Sequence, residues 1–203
     1  QLLLDERSLT TDQDEVARLV DAHKSTGAEG QKTAVIEAVT IETDVKTTFV
    51  GFEADETSAE VINWIENGAG TFAIVDRSPF YIEKGGQLGD IGVLIAGTET
   101  IPVVSALGVG EATVLQLERL PAKDTSTVTL KIDTARRRGI EQHHTATHLL
   151  HAALRKALGS HVKQAGSLVA PDRLRFDFVH SSPVTRDEMR DIEQIVNEQI
   201  YRN

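Results

Sequence analysis

The sequence predicts an α+β chain: a short N-terminal helix, a small β-barrel, then a helix–hairpin–helix layer. Three observations predict it. Between Lys32 and Asp133 the residues fall into short β-branched or alternating runs divided by Gly and Asp turns. From Thr134 the apolar spacing changes to that of a helix. Apolar residues make up 40% of the chain and aromatic residues only 4%, so the core must be built mainly of Val, Ile, Leu and Ala.

The elements follow in order. Thr10 with Gln13 resembles a capping box, and Val16, Leu19 and Val20 give a short apolar stripe before a loose Ser25–Gly30 linker. That is too little to bury alone, so residues 1–30 read as the end of something larger. Strands are expected at Thr33–Thr43, Thr47–Phe52, Thr71–Val75, Gly92–Ile95, Ala112–Glu118 and Ser126–Ile132. Ser58–Asn67 fits either a strand or a short helix. This spacing suggests a small barrel over residues 31–133. Ala146, Leu149, Leu150, Ala153, Leu154, Ala157 and Leu158 then form a helical stripe that ends at Gly159. Ser167–Ala170 and Leu174–Val179 read as a hairpin turning at Pro171-Asp172. Thr185 opens a last helix with Met189, Ile192, Ile195, Val196 and Ile200 on one face. It meets no stop signal before Asn203, so both ends of the chain read as cut.

Composition narrows the function classes. The 203 residues contain no cysteine, which excludes disulfides and points away from a secreted, stapled fold. No apolar run approaches the ~18 residues of a membrane span, and the N-terminus does not read as a signal peptide. A soluble intracellular protein is expected. The net charge of −10 is unevenly spread. Residues 1–130 hold 9 basic and 22 acidic side chains, whereas residues 131–203 hold 12 basic and 9 acidic. A polyanion could approach the basic part, around Arg136-Arg137-Arg138, Arg155-Lys156, Lys163, Arg173 and Arg175. A solvated helix face gives the same pattern.

Three motifs carry chemistry. The first is His143-His144-Thr145-Ala146-Thr147-His148-Leu149-Leu150-His151. His144 and His148 lie one turn apart on a helix, a spacing that aims two imidazoles at one ion, and His151 falls on nearly the same face. Zinc suits such a site. The metalloprotease pattern His-Glu-x-x-His fails because Thr145 occupies the second position, and two histidines fall short of a zinc shell. The second motif is Phe80–Gly92, where Gly85, Gly86, Gln87, Gly89 and Asp90 make a loop that can present backbone N–H groups. It is not a phosphate-binding Walker loop, and a plain glycine-rich turn also explains it. The third is His161–Val169, where Gln164 can donate and accept a hydrogen bond to a small polar substrate.

Together these motifs resemble the alanyl-tRNA synthetase family. His143–Arg155 is similar to that family's zinc-binding editing helix, and Phe80–Gly92, Lys163–Leu168 and Leu174–Phe178 recur there in the same order. The resemblance covers nearly the whole chain. It implies that residues 1–30 end the tRNA-recognition helices, 31–133 form the barrel, and 134–203 are the N-terminal part of a truncated editing domain. It implies a cytoplasmic enzyme that joins alanine to tRNA(Ala), with ATP and Mg2+ used by an aminoacylation domain not in this chain. The editing site would hydrolyse Ser-tRNA(Ala) and Gly-tRNA(Ala). By resemblance His144 and His148 are one zinc-ligand pair, Gln164 is the catalytic-site residue, and Gly85, Gly86 and Gln87 bind substrate. Lys84 stands where a small residue is more usual. The family's other ligand pair, Cys-x-x-x-His, is missing from this chain, so weak zinc binding and weak or absent hydrolysis are expected. His151 is a supporting or structural residue, and His143 is incidental. The alternative is a non-catalytic module that binds the tRNA acceptor end.

Overall fold

A computed structural model describes residues 43–123 and 125–202, all within one compact unit. The expectations for residues 1–30 and for a strand at Thr33–Thr43 lie outside that range, Thr43 excepted. The run read as a strand at Thr47–Phe52 is shorter. Only Thr48–Phe49 (β1) is extended, in parallel with Arg77–Ser78 (β4), and the chain turns at Gly51.

The barrel consists of Glu56–Asn67 (β2), Gly70–Val75 (β3), Gly92–Ala96 (β5), Glu99–Val109 (β6), Ala112–Leu117 (β7) and Thr127–Ile132 (β8). It closes in the order β2-β3-β7-β6-β5-β8, with every pair antiparallel, so no strand edge is left open. The ambiguous Ser58–Asn67 segment is strand. Its first half pairs with β8 and its second with β3, and a register shift separates Val61 from Asn63. Such an irregularity interrupts the two-residue alternation, which is why the pattern reads either way. β6 has no counterpart among the expected strands. Pro102 within it argues against a central strand, and a register shift lies between Val103 and Ser105. Its burial nonetheless alternates, with Ile101, Val103 and Ala106 inside. The barrel core is mostly aliphatic: Val75, Leu94, Ile101, Leu115 and Leu130 are fully buried, and the Phe80 ring packs among them.

The second layer follows directly. Thr134–Leu158 (α1) starts at Asp133, whose carboxylate accepts from Arg136 N at 3.0 Å, and stops at Gly159 with φ 115°. Gln164–Val169 (β9) and Leu174–Phe178 (β10) form the hairpin. Arg186–Arg202 (α2) is opened by a reciprocal box: Glu188 Oε2 accepts from Thr185 N at 2.8 Å, and Thr185 Oγ1 accepts from Glu188 N at 3.3 Å. Ala153, Leu154, Val162 and Ile192 form the core of this layer, with Phe176 and Phe178 of the hairpin packed against it. No helix among the described residues is long and apolar enough to cross a membrane.

Candidate metal and substrate site

Helix α1 is tied to the barrel side before it reaches the histidines. Arg137 is 6% exposed and Asp90 2% exposed, and the two form a buried ion pair. Arg137 Nε donates to both Asp90 oxygens at 3.0 and 3.1 Å, Nη1 donates to Gly51 O at 2.8 Å, and Nη2 donates to Pro79 O at 2.9 Å. Tyr81 N donates to Asp90 Oδ2 at 2.7 Å. Burial opposes the charge of Arg137, but the hydrogen bonds and attraction of Asp90 outweigh it and raise its pKa above the ordinary arginine value. The expectation of an open basic run at Arg136–Arg138 is therefore corrected. Arg137 is buried and saturated, Arg136 Nη2 reaches Gly89 O at 3.4 Å, and Arg138 is paired with Glu141 and Asp55.

This anchoring fixes the glycine-rich loop against α1. Lys84 and Gln87 bond to each other through both backbone groups, at 3.2 and 3.1 Å, around Gly85 (φ 63°) and Gly86 (φ 85°). Two successive left-handed residues define the tight hairpin turn that glycine adopts at least cost. A Cβ on Gly86 would also lie 2.3 Å from Ser167 O. The turn docks on β9, with Val169 N donating to Gly86 O at 2.8 Å and Leu88 N donating to Val169 O at 3.0 Å.

The loop delivers Gln87 to the histidine helix. His144 Nδ1–H donates to Gln87 Oε1 at 2.6 Å, which fixes the tautomer and leaves the Nε2 lone pair free. His144 Nε2 and His148 Nε2 lie 3.1 Å apart. Two imidazoles on one tetrahedral zinc, each with a bond of about 2.0–2.1 Å, place their nitrogens about 3.3 Å apart. The pair thus fits as half of a zinc shell. Among the described residues no group of three or more His, Cys, Asp or Glu side chains could hold a metal, and the chain has no cysteine.

A cavity of about 410 Å³ opens beside the pair. It gathers Gly85, Gln87, His144, His148 and Gln164 from three elements, while Gly86 stands behind it against Ser167. Lys84 lines it too. Tyr81, Thr147 and Ser167 also line it and are absent from the sequence-based set. Thr147 could have been found, since it stands three positions after His144 on the same helix face. Tyr81 and Ser167 carry no signal of their own. His151 is half-buried, with its ring 5.0 Å from that of Phe176 and no hydrogen-bond partner for Nε2. His143 points elsewhere, toward a groove beside Gln199 and Ile200. The arrangement can hold one divalent metal through two neutral imidazoles and present amide and hydroxyl groups to a small polar ligand.

Comparison with known proteins gives the site a context. The family profile described as tRNA synthetases class II (A) matches residues 1–136. The chain is similar to the alanine–tRNA ligase of Akkermansia muciniphila, 41% identical over 97% of the chain and 21% of that protein. It is similar to that of Parabacteroides distasonis, 37% identical over 100% of the chain and 24% of the protein. The alanine–tRNA ligase of Methylacidiphilum infernorum is 46% identical over 76% of the chain and 17% of that protein. The chain spans about a fifth of the length of these curated relatives.

Proposed function

The chain belongs to the class II tRNA synthetase (A) family, and from that premise we propose that it supplies part of the proofreading site of an alanine–tRNA ligase. The whole enzyme would attach alanine to tRNA(Ala) in the cytoplasm, consuming ATP with Mg2+ as cofactor in its aminoacylation domain. The site described above would hydrolyse Ser-tRNA(Ala) and Gly-tRNA(Ala). The need is physical: a pocket sized for alanine rejects glycine, or serine, by only a modest factor, so a second site must remove the errors.

One observation carries the reading. His144 and His148 present Nε2 atoms at zinc-ligand spacing, with Gln87 orienting the first, over a cavity lined by polar groups. When bound, zinc would polarise the ester carbonyl, position the amino acid or acidify a water. The chain's own residues do the rest. Gln164 offers an amide that can both donate and accept toward the amino acid. The Ser167 hydroxyl borders the space a serine side chain would enter, and Gly85, beside Gln87, leaves it open. Gly86 keeps the loop close to β9.

Two histidines make a weak zinc site, so the purified chain should retain little metal and hydrolyse slowly. The test is deacylation of Ser-tRNA(Ala) by the chain at saturating zinc. The expected result is slow, zinc-stimulated hydrolysis that His148→Ala abolishes. Robust hydrolysis that survives His148→Ala would contradict the assignment. A second reading, a non-catalytic module for the acceptor end, draws on the 12 basic against 9 acidic side chains of residues 131–203. It predicts tRNA binding with no zinc-stimulated hydrolysis.

A further inference from the structure

A second cavity, of about 540 Å³, opens on the other side of the Gln87–His144 contact. Both cavities are bordered by Tyr81, Gln87 and His144, so a single ligand could reach from one to the other across that contact. We propose that the second cavity receives the terminal nucleoside of the aminoacyl-tRNA, its base against Phe52 and Tyr81. The esterified ribose would then lie over Gln87 and His144. This rests on the deacylation reading above, and it assigns the half of the substrate which that reading leaves unplaced.

Phe52 is 88% exposed. A single exposed phenylalanine is ordinary when it rides on a loose loop tip. This one does not. Glu53 N and Ala54 N both donate to Val50 O, at 3.0 and 3.1 Å, and Ile132 N donates to Asp55 O at 3.0 Å. Gly51 O accepts from the buried Arg137, and a Cβ at Gly51 would lie 2.3 Å from Pro79 O, so the turn sits tightly on the loop beneath it. The Phe49 ring meets Phe52 edge-on at 5.0 Å and Tyr81 at 6.2 Å. The fold thus holds an exposed aromatic ring on a fixed turn, beside a cavity that His144 also lines. A displayed ring of this kind suits a base, because every base has a π-face.

The charges choose which nucleoside. The cavity's carboxylates are Glu53, Asp55 and Glu141, and its arginines are Arg137, held by Asp90, and Arg138, shared by Asp55 and Glu141. Both arginines that line this cavity already face carboxylates, and three carboxylates line it against two arginines. The carboxylates can accept hydrogen bonds from ribose hydroxyls and from an exocyclic amine. The 3′-terminal nucleoside is the one position in a tRNA whose ribose carries no 3′-phosphate, and it also carries the ester.

The test is titration of the zinc-free chain with adenosine, followed by saturation-transfer NMR, so that neither an ester nor a metal enters the readout. Phe52→Ala should weaken adenosine binding by roughly 5- to 150-fold, the range of one lost base–aromatic stack, and Phe52→Tyr should restore it. Far-UV circular dichroism should be unchanged in both, since Phe52 is exposed. Equal adenosine affinity in the wild type and Phe52→Ala, or no binding by the wild type at millimolar adenosine, would overturn the proposal. The two readings fail separately. Phe52-dependent adenosine binding together with robust Ser-tRNA(Ala) hydrolysis that survives His148→Ala sinks the deacylation reading and keeps the nucleoside site. Hydrolysis lost in His148→Ala, with adenosine binding indifferent to Phe52, does the reverse.

Discussion

Arg137 and His144 stand seven positions apart on α1, two turns along nearly the same face, yet they live in opposite surroundings. Arg137 is buried and donates to Asp90 and to two backbone carbonyls. His144 is exposed, held by one hydrogen bond, with its second nitrogen directed at its neighbour's. The contrast shows how one helix separates building from binding: the saturated cluster fixes position, and the unsaturated one keeps its valence for a ligand. The largest expected effect tests the first half. Arg137→Ala leaves the buried Asp90 carboxylate without its counter-charge, with only the Tyr81 N–H bond, and takes the arginine donor from two carbonyls, so it should cost about 3–5 kcal/mol in urea unfolding. His144→Ala removes an exposed side chain and should leave the unfolding midpoint nearly unchanged. Equal losses in the two variants would break the comparison.

The next two predictions sharpen the binding half. His148→Ala removes one of the two nitrogens at zinc spacing, and the weak zinc affinity of the chain, read by chelator competition, should fall by more than about 100-fold. Gln87→Ala leaves both ligands in place but frees the His144 ring. Partners of this kind typically alter metal affinity by about 10- to 100-fold, so a loss in that range is expected. Gln87→Glu keeps an acceptor for Nδ1–H and should recover most of it. Zinc binding insensitive to Gln87→Ala would mean that the 2.6 Å contact does not orient the ligand.

Much of this was legible in the sequence, but unevenly. The helical stripe from Ala146 to Leu158, the Pro171-Asp172 turn and the Thr185 start all reflect local chemistry, and all appear at or within a few residues of their expected places. β6 was not legible, because Pro102 and the register shift beyond Val103 hide its alternation. What the sequence could not supply was long-range pairing. Gln87 and His144 lie 57 positions apart, and Arg137 and Asp90 lie 47 apart. Nothing local distinguishes the buried Arg137 within the run Arg136-Arg137-Arg138 from the half-buried Arg136 and the exposed Arg138. The run read as a basic surface because charge patterning counts residues without knowing which of them the fold has enclosed.

Arg138 gives that point its smallest and most discriminating test. It follows Arg137 directly, yet it is more than half exposed and pairs with Glu141 at 2.6 Å and with Asp55 at 3.6 Å. An exposed pair gains little, because water screens the attraction and two long side chains must be held still. Glu141 lies three positions on along the same helix, and the distant partner, Asp55, is met only at 3.6 Å. Arg138→Ala should therefore give no resolvable change in the urea midpoint, and whatever small effect it has should vanish as salt is raised. The defect of Arg137→Ala should persist at high salt, because its partners are shut away from ions. If Arg138→Ala were as damaging as Arg137→Ala, or if the Arg137→Ala defect faded with salt, burial would not be what separates the two arginines.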